Sequence, residues 1–210
     1  KTKKMNILVV FPSELEARGF SATSVHTVET LVSGIGGFAT MYNLTKYCVK
    51  KRPDFIIHAG ICGSFDETLN LGDVVCVMID QFADFGVIEN GQWKTGFEMK
   101  LISSHKKPFT QGELVAPNND IVPYPKVIAV TSQTITSTTK QQEELERNFH
   151  PAIETMEGAY VHYVCIQEDI PFVHIRAVSN TVGERDKTKW DIKTAIANLH
   201  EAINNVIANL

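Results

Sequence analysis

Residues 154–180 read ETMEGAYVHYVCIQEDIPFVHIRAVSN, and the rest of the chain is best understood from this stretch outward. Ile153 opens a short strand running toward Met156. Glu157 to Glu168 then reads as an apolar helix, and Phe172 to Val178 as a strand, largely apolar but carrying His174 and Arg176. A largely apolar run of strand length is how a strand covered on both faces reads. Polar residues also sit at the joints. The helix opens on Met156-Glu157 and the strand stops at Ser179-Asn180, so a carboxylate and an amide stand where buried elements end.

The same alternation runs through the chain. Ile7 to Phe11, Val28 to Val32, Phe55 to His58, Val74 to Ile79 and Val127 to Val130 are apolar runs of strand length. From Phe38, the residues Met41, Leu44, Tyr47 and Cys48 recur at helical spacing until Arg52-Pro53 ends the pattern. TSQTITSTT leads into a polar helix over roughly 140–148, with Ser137 or Thr138 as its N-cap. Ile192, Ile196, Leu199, Ile203, Val206 and Leu210 mark the apolar stripe of a long last helix. Residues 81–125 are less regular and carry Phe82, Phe85, Trp93 and Phe97. The expected class is α/β: a single domain over 1–210 with a central mixed, mostly parallel twisted sheet flanked by helices. Residues 1–4, KTKK, read as a disordered or added start.

Composition removes several function classes. The chain has 210 residues, 43% of them hydrophobic and 21% charged, with a formal net charge of -4. That is a soluble single-core protein without the basic stripe that nucleic acid requires. No run approaches the length that spans a bilayer, so no membrane partner is expected. The apolar opening NILVVF stops at Pro12-Ser13-Glu14, too early for a signal peptide. The four cysteines are scattered without a CxxC pair and read as reduced thiols, which points to a cytoplasmic protein. The seven histidines show neither HxxxH nor HExxH spacing, so no metal is expected, and His58 and His174, inside strands, read as satisfied core residues. GIGGFA lacks GxGxxG, which removes a dinucleotide cofactor, and no GxSxG elbow supports a serine hydrolase.

In sheets of this kind ligands bind beyond the carboxyl ends of the strands. Glu14 and Glu16 follow the first strand, Gly34, Gly36 and Gly37 the second, and Gly60 and Gly63 the third. Met156-Glu157 and Ser179-Asn180 follow two more. Each has a plain reading by itself. GIGG and GICG are tight turns, Glu14 or Glu16 a solvated carboxylate, Glu157 a first-turn acid favouring its helix dipole, and Asn180 a turn residue. Their joint placement on one edge argues for a ligand.

SGIGGFAT (33–40), PDFIIHAGICGSF (53–65), LGDVV (71–75) and residues 154–180 resemble, in order and spacing, the purine nucleoside phosphorylase and nucleosidase superfamily, from about Ile7 to the last helix. Within it, SNTVGERDKTKWDIKTAI (179–196) and QFADFGV (81–87) are most similar to the futalosine hydrolases. The resemblance implies a nucleoside phosphorylase-like fold, a small-molecule purine nucleoside substrate, no cofactor and a homodimer or larger homo-oligomer. It implies that Glu16 rather than Glu14 is the base that activates water, that Met156 and Glu157 meet the sugar, and that Asn180 meets the purine's five-membered ring. Ile61, Gly63, Thr134, Ile135 and Ser179 would line the substrate. Phe82 and Phe85, with Trp93 and Phe97, would wall its 5′ side, and Arg185, Lys187 or Lys189 would face a carboxylate there.

Two departures bear on the reaction. Phosphorylases of the superfamily place an arginine and a hydroxyl where His58 and Ile61 stand, which favours water over phosphate; Arg18 or Arg176 remain as cations for phosphate. Adenine-directed nucleosidases carry aspartate at the place of Asn180. An amide NH₂ donates to N7 and a 6-oxo group, which favours a 6-oxopurine. The expected reaction is therefore hydrolysis of futalosine to hypoxanthine and dehypoxanthine futalosine. A methylthioadenosine/adenosylhomocysteine nucleosidase, a purine nucleoside phosphorylase and a non-catalytic nucleoside binder are the alternatives.

Overall fold

The computed structural model describes residues 3–117 and 121–210, so the first two residues of the expected disordered or added start lie outside it. The strands are β1 Asn6–Phe11, β2 Thr27–Val32, β3 Phe55–Ser64, β4 Val74–Phe82, β5 Gly86–Glu89, β6 Gln92–Thr95, β7 Leu114–Val115, β8 Lys126–Thr131, β9 Ile153–Thr155 and β10 Phe172–Thr181. The helices are α1 Glu14–Ala17, α2 Gly37–Lys50, α3 Thr139–Phe149, α4 Gly158–Gln167 and α5 Ile192–Asn209.

β1 lies parallel between β2 and β3, and β10 runs parallel to β3 on β3's other side. β4 then pairs antiparallel with β10 and parallel with β8, and β8 pairs parallel with β9. β9 returns antiparallel to the far end of β3. The sheet thus closes on itself through β3, β10, β4, β8 and β9, with β1 and β2 as an open wing. Closure is allowed by the length of β3: Phe55 to His58 partner the wing while Gly63 and Ser64 partner β9. The mixed, mostly parallel sheet matches the sequence expectation, whereas the closure adds a feature that strand-length runs cannot encode.

β1 shows why these strands do not alternate. Ile7, Val9 and Phe11 join the core on which α5 packs. Leu8 and Val10 join the opposite core, with Leu44 of α2 and Val161, Val164 and Cys165 of α4. Both faces are covered, so every position from Ile7 to Phe11 is apolar. On α5 the inner face is Ala195, Leu199, Ala202, Ile203, Val206 and Ile207, while Ile192, Ile196 and Leu210 of the expected stripe are half-buried. Thr138 is the N-cap of α3 and forms a full capping box with Gln141, which decides between Ser137 and Thr138.

Two strands continue past their expected ends. β3 runs through GICG, so Gly60 and Gly63 lie within a strand and not in a tight turn. Their backbone needs no positive φ, unlike Gly34 and Gly36 at 91° and 85°. β10 likewise runs through Ser179-Asn180. The four cysteines are buried, and burial pushes the Cys62 thiol up to about 12 and those of Cys48 and Cys76 to about 11. No helix among the described residues is long and apolar enough to cross a membrane.

Leu199 is wholly buried against the α5 face of the sheet. Leu199→Ala should cost about 2–5 kcal/mol through lost transfer energy and the cavity left behind. The melting temperature should fall by roughly 5–15 °C in a calorimetric scan, with substrate specificity unaltered.

Candidate active site

The carboxyl ends of β1, β2, β3, β9 and β10 come together as expected, and their polar groups bond to one another across the gaps. Glu14 is exposed. Glu16 is only 5% exposed, because Ser13 caps the short α1, taking a hydrogen bond from the Glu16 amide and donating its hydroxyl to Glu16 Oε2. Glu16 Oε1 accepts from the Ile61 amide of β3 at 2.9 Å. Each carboxylate oxygen thus has one fixed donor and a lone pair left over.

Glu157 occupies the N-cap of α4 but makes no side-chain bond to its own helix. Its Oε1 accepts from the Gly36 amide at 2.8 Å, reaching across to the loop whose positive-φ glycine turns that N–H inward. Glu157 is 4% exposed, and burial raises its pKa from the ordinary carboxylate value against the opposing pull of Arg176. Gln133 joins the two loops: its Oε1 accepts from the Gly37 amide at 2.7 Å and its Nε2 donates to the Met156 carbonyl at 2.9 Å. Met156 is half-buried beside Glu157.

The centre of the constellation is Arg176, 1% exposed in the middle of β10. Its Nε donates to His174 Nε2 at 2.6 Å, its Nη1 to the Ile61 carbonyl at 3.2 Å, and its Nη2 to His58 Nε2. Nη2 also lies 3.7 Å from Glu157 Oε2. The parallel register of β3 and β10 sets this up, for His174 stands opposite His58 and Arg176 opposite Gly60. A Cβ on Gly60 would come within 2.2 Å of Arg176 Nη1 and 2.9 Å of Glu16 Oε1. Glycine is needed there for proximity, since the guanidinium and the carboxylate both lie against its Cα.

The histidines have determined tautomers. His58 Nδ1 faces the Val10 carbonyl at 3.3 Å and His162 Nδ1 the Leu114 carbonyl at 3.0 Å. A carbonyl only accepts, so both Nδ1 atoms are protonated. His162 Nε2 is then an acceptor, and His174 Nδ1, 3.1 Å away, donates to it. All three rings are fully buried and neutral. Burial and the nearby Arg176 hold His58 and His174 well below their ordinary pKa, and burial lowers His162 to about 4.

Asp80 lies behind His174, with Oδ2 3.7 Å from His174 Nδ1. Its Oδ1 accepts from Thr131 Oγ1 at 2.8 Å and from the Gln81 amide at 2.9 Å, while Oδ2 has no hydrogen-bond partner among the described residues. Burial pushes its pKa up to about 7. Asp80, His162 and His174 have the donor types and spacing of a metal site, yet the chemistry does not fit one. His174 Nε2 accepts from a permanent cation, which fixes the proton on Nδ1, the atom a metal would need.

Toward the carboxyl end of β10, Ser179 is the extra residue of a β-bulge, since pairing with β3 shifts between Val178 and Asn180. Its hydroxyl is placed between the Cys62 carbonyl at 3.1 Å and Asn180 Oδ1 at 2.9 Å. Asn180 Nδ2 donates to the Thr181 carbonyl at 2.9 Å, which fixes the amide's orientation and leaves one N–H free. Asn180 pairs with Gly63, where an added Cβ would meet Nδ2 at 3.2 Å.

Some expected lining residues stand elsewhere. Thr134 and Ile135 are exposed on the loop after β8, and Gln133, passed over in the sequence, is the residue of that loop that reaches inward. Phe82 and Phe85 share a cavity of about 470 Å³ with Phe109, Tyr160 and Tyr163. Phe97 stacks edge-on behind Phe85 and Phe109, but Trp93 lines a separate cavity beside Asp84 and Thr134. Lys189 is paired with Glu184, Arg185 and Lys187 are exposed, and the lysines at the aromatic cavity are Lys106 and Lys107. The sequence signal for Arg176 was present all along: a lone cation within FVHIRAV.

Residues 17–209 match the sequence family described as the phosphorylase superfamily. A futalosine hydrolase of Thermus thermophilus is 26% identical, over 96% of this chain and 95% of its own. A 5′-methylthioadenosine/S-adenosylhomocysteine nucleosidase of Bacillus velezensis is 31% identical, over 91% and 86%. Among solved structures, the futalosine hydrolase of Helicobacter pylori superposes with a TM-score of 0.82 at 13% identity, covering 98% of both chains.

Asp80 offers a pH test. Its pKa is raised on folding, so the carboxyl contributes most to stability while protonated, and that contribution is lost as pH rises through about 7. Asp80→Asn removes the titration. Its melting temperature relative to the parent should rise between pH 5 and pH 8.5, by an amount corresponding to roughly 2–3 kcal/mol.

Proposed function

The chain belongs to the phosphorylase superfamily, and from that membership we propose that it is a nucleosidase, cleaving the N-glycosidic bond of a 6-oxopurine nucleoside with water. Futalosine is the substrate, with hypoxanthine and dehypoxanthine futalosine as products. The observation that carries this reading is the separation of charge in the site: two buried carboxylates gather around one arginine at one end, and a neutral amide with one free N–H stands at the other.

Breaking this bond leaves positive charge on the sugar and electrons on the base, so the two ends need opposite treatment. Glu16, each oxygen with a spare lone pair, orients water and takes its proton, an effect typically worth a factor of 10² to 10⁴. Arg176, against the same Cα as Glu16 Oε1, stabilises the hydroxide character that develops on that water. Glu157 accepts from the sugar hydroxyls, and charged hydrogen bonds of this kind contribute about 1.5–3 kcal/mol net. Asn180 donates to the departing purine at N7 or O6. The Thr181 carbonyl lies 2.9 Å from the amide nitrogen and would repel an anion there, which favours an amide-recognised 6-oxopurine over the adenine-directed reading.

Phosphate is disfavoured by the same geometry. His58, at the place of the expected phosphate-binding cation, has both ring nitrogens engaged within the core, and Ile61 offers only its backbone. Arg18 is exposed. With Glu16 and Glu157 both beside Arg176, a phosphate dianion would meet net negative charge. The second reading, a 5′-methylthioadenosine/S-adenosylhomocysteine nucleosidase, has the support of the 31% identical relative. Homodimerisation through the exposed apolar side of α2, where Phe38 and Tyr42 follow Ile35, completes the proposal, and the buried thiols support a cytoplasmic location.

In phosphate-free buffer, futalosine should release hypoxanthine, and adenine from methylthioadenosine would instead establish the second reading. Strict dependence on phosphate with ribose 1-phosphate chemistry would establish a phosphorylase. Glu16→Gln should lower kcat by about a hundredfold or more while binding persists, as measured by single-turnover kinetics and calorimetry. Asn180→Asp should lower kcat/KM for futalosine relative to methylthioadenosine by about tenfold or more in a direct competition assay.

A further inference from the structure

Arg176 serves the proposed reaction as a charge, and that charge must be held in place. Long, flexible arginine side chains are usually fixed by carboxylates that also neutralise them. Here two of the donors meet imidazoles. Nε reaches His174 at 2.6 Å, and Nη2 reaches His58, whose ring lies 4.6 Å from that of His174. Both acceptors are locked from behind. His58 is anchored on the Val10 carbonyl, and His174 on His162, itself anchored on the Leu114 carbonyl. The chain of donors runs outward in one sense, from the cation through neutral rings to backbone carbonyls. All of these residues are buried, so no solvent molecule can take the place of a missing acceptor.

We propose that His174 and His58 are positioning residues for bond cleavage: they clamp the Arg176 guanidinium in one orientation and, being neutral, leave its full positive charge directed at Glu16, Glu157 and the reacting groups between them. A carboxylate at either position would hold the arginine equally well but pair with it. It would also add a third buried anion beside Glu16 and Glu157. Asp80, the nearest carboxyl on the far side, is separated from the guanidinium by the His174 ring and approaches only that ring's Nδ1, at 3.7 Å. The register pairing of His174 with His58 and of Arg176 with Gly60 means that the clamp is built into the two central strands and involves no loop.

The catalytic readout rests on the nucleosidase reading, so a second readout is independent of it. In His174→Leu, kcat should fall by about tenfold or more with KM within about twofold, and hypoxanthine, which meets Asn180, should bind within about twofold of the parent. His174→Gln, whose Oε1 can accept from Arg176 and whose NH₂ can donate to His162, should recover most of the loss. Nitrogen-15 NMR of the parent should show His58, His162 and His174 as neutral Nδ1–H tautomers from pH 6 to pH 8, with an exchange-protected Arg176 Nε–H, identified by its loss in Arg176→Lys. That protection should disappear in His174→Leu. An unchanged kcat in a folded leucine variant, parallel loss of kcat and hypoxanthine affinity, or an Nε2–H tautomer at His58 or His174 overturns the clamp. If the leucine variant fails to fold, the parent spectra and the glutamine variant decide. If no nucleoside is cleaved, the proposed function fails and the NMR result still judges the clamp.

Discussion

The structure is organised around one permanently charged group sealed inside a sheet. A buried guanidinium is tolerable only if its donors are met and its charge is answered, and here each condition is satisfied by different residues. Neutral acceptors, His174, His58 and the Ile61 carbonyl, meet the donors. Glu157 answers the charge from 3.7 Å, with Glu16 nearby across Gly60. The carboxylates are in turn held by backbone amides of Gly36 and Ile61, which belong to different strand ends. Removing any one member would leave another without a partner, so the loops at the carboxyl edge are fixed by electrostatics as much as by packing.

Much of this was legible in the sequence, for identifiable reasons. Strands covered on both faces announce themselves as largely apolar runs, and β1, β3 and β10 were found in that way. The joints at Met156-Glu157 and Ser179-Asn180 stood out because polar side chains are anomalous at the ends of buried elements. Arg176 carried the same kind of anomaly, but a lone cation in an apolar run has no spacing partner to reveal its role. His58 and His174 read as core histidines because their partnership depends on strand register, which apolar runs without alternation do not encode. The same gap hid the closure of the sheet. GICG was misread because glycine serves close approach as readily as turning. In the loop after β8 nothing local distinguished Gln133, with its two long-range bonds, from its exposed neighbours Thr134 and Ile135.

The site is divided between two kinds of structure. The charged end is set by the β3 and β10 backbones, where register leaves little freedom. The aromatic cavity, which on the proposed function receives the side of the substrate that differs among nucleosides, is built from less regular elements: the stretch after β4 that carries Phe85 and Phe109, and the side of α4 that presents Tyr160 and Tyr163. Core strands tolerate little change, while loops vary freely.

The bulge at Ser179 lies on the border between these two parts. Because the extra residue is absorbed there, residue 180 hangs on a locally irregular piece of backbone, out of step with the ladder that aligns Arg176. An exchange of amide for acid at that point therefore need not disturb the electrostatic engine upstream. On the proposed function, a lineage could retune which heterocycle it accepts by a single codon change, and descendants of one ancestor could diverge in diet while keeping their machinery intact.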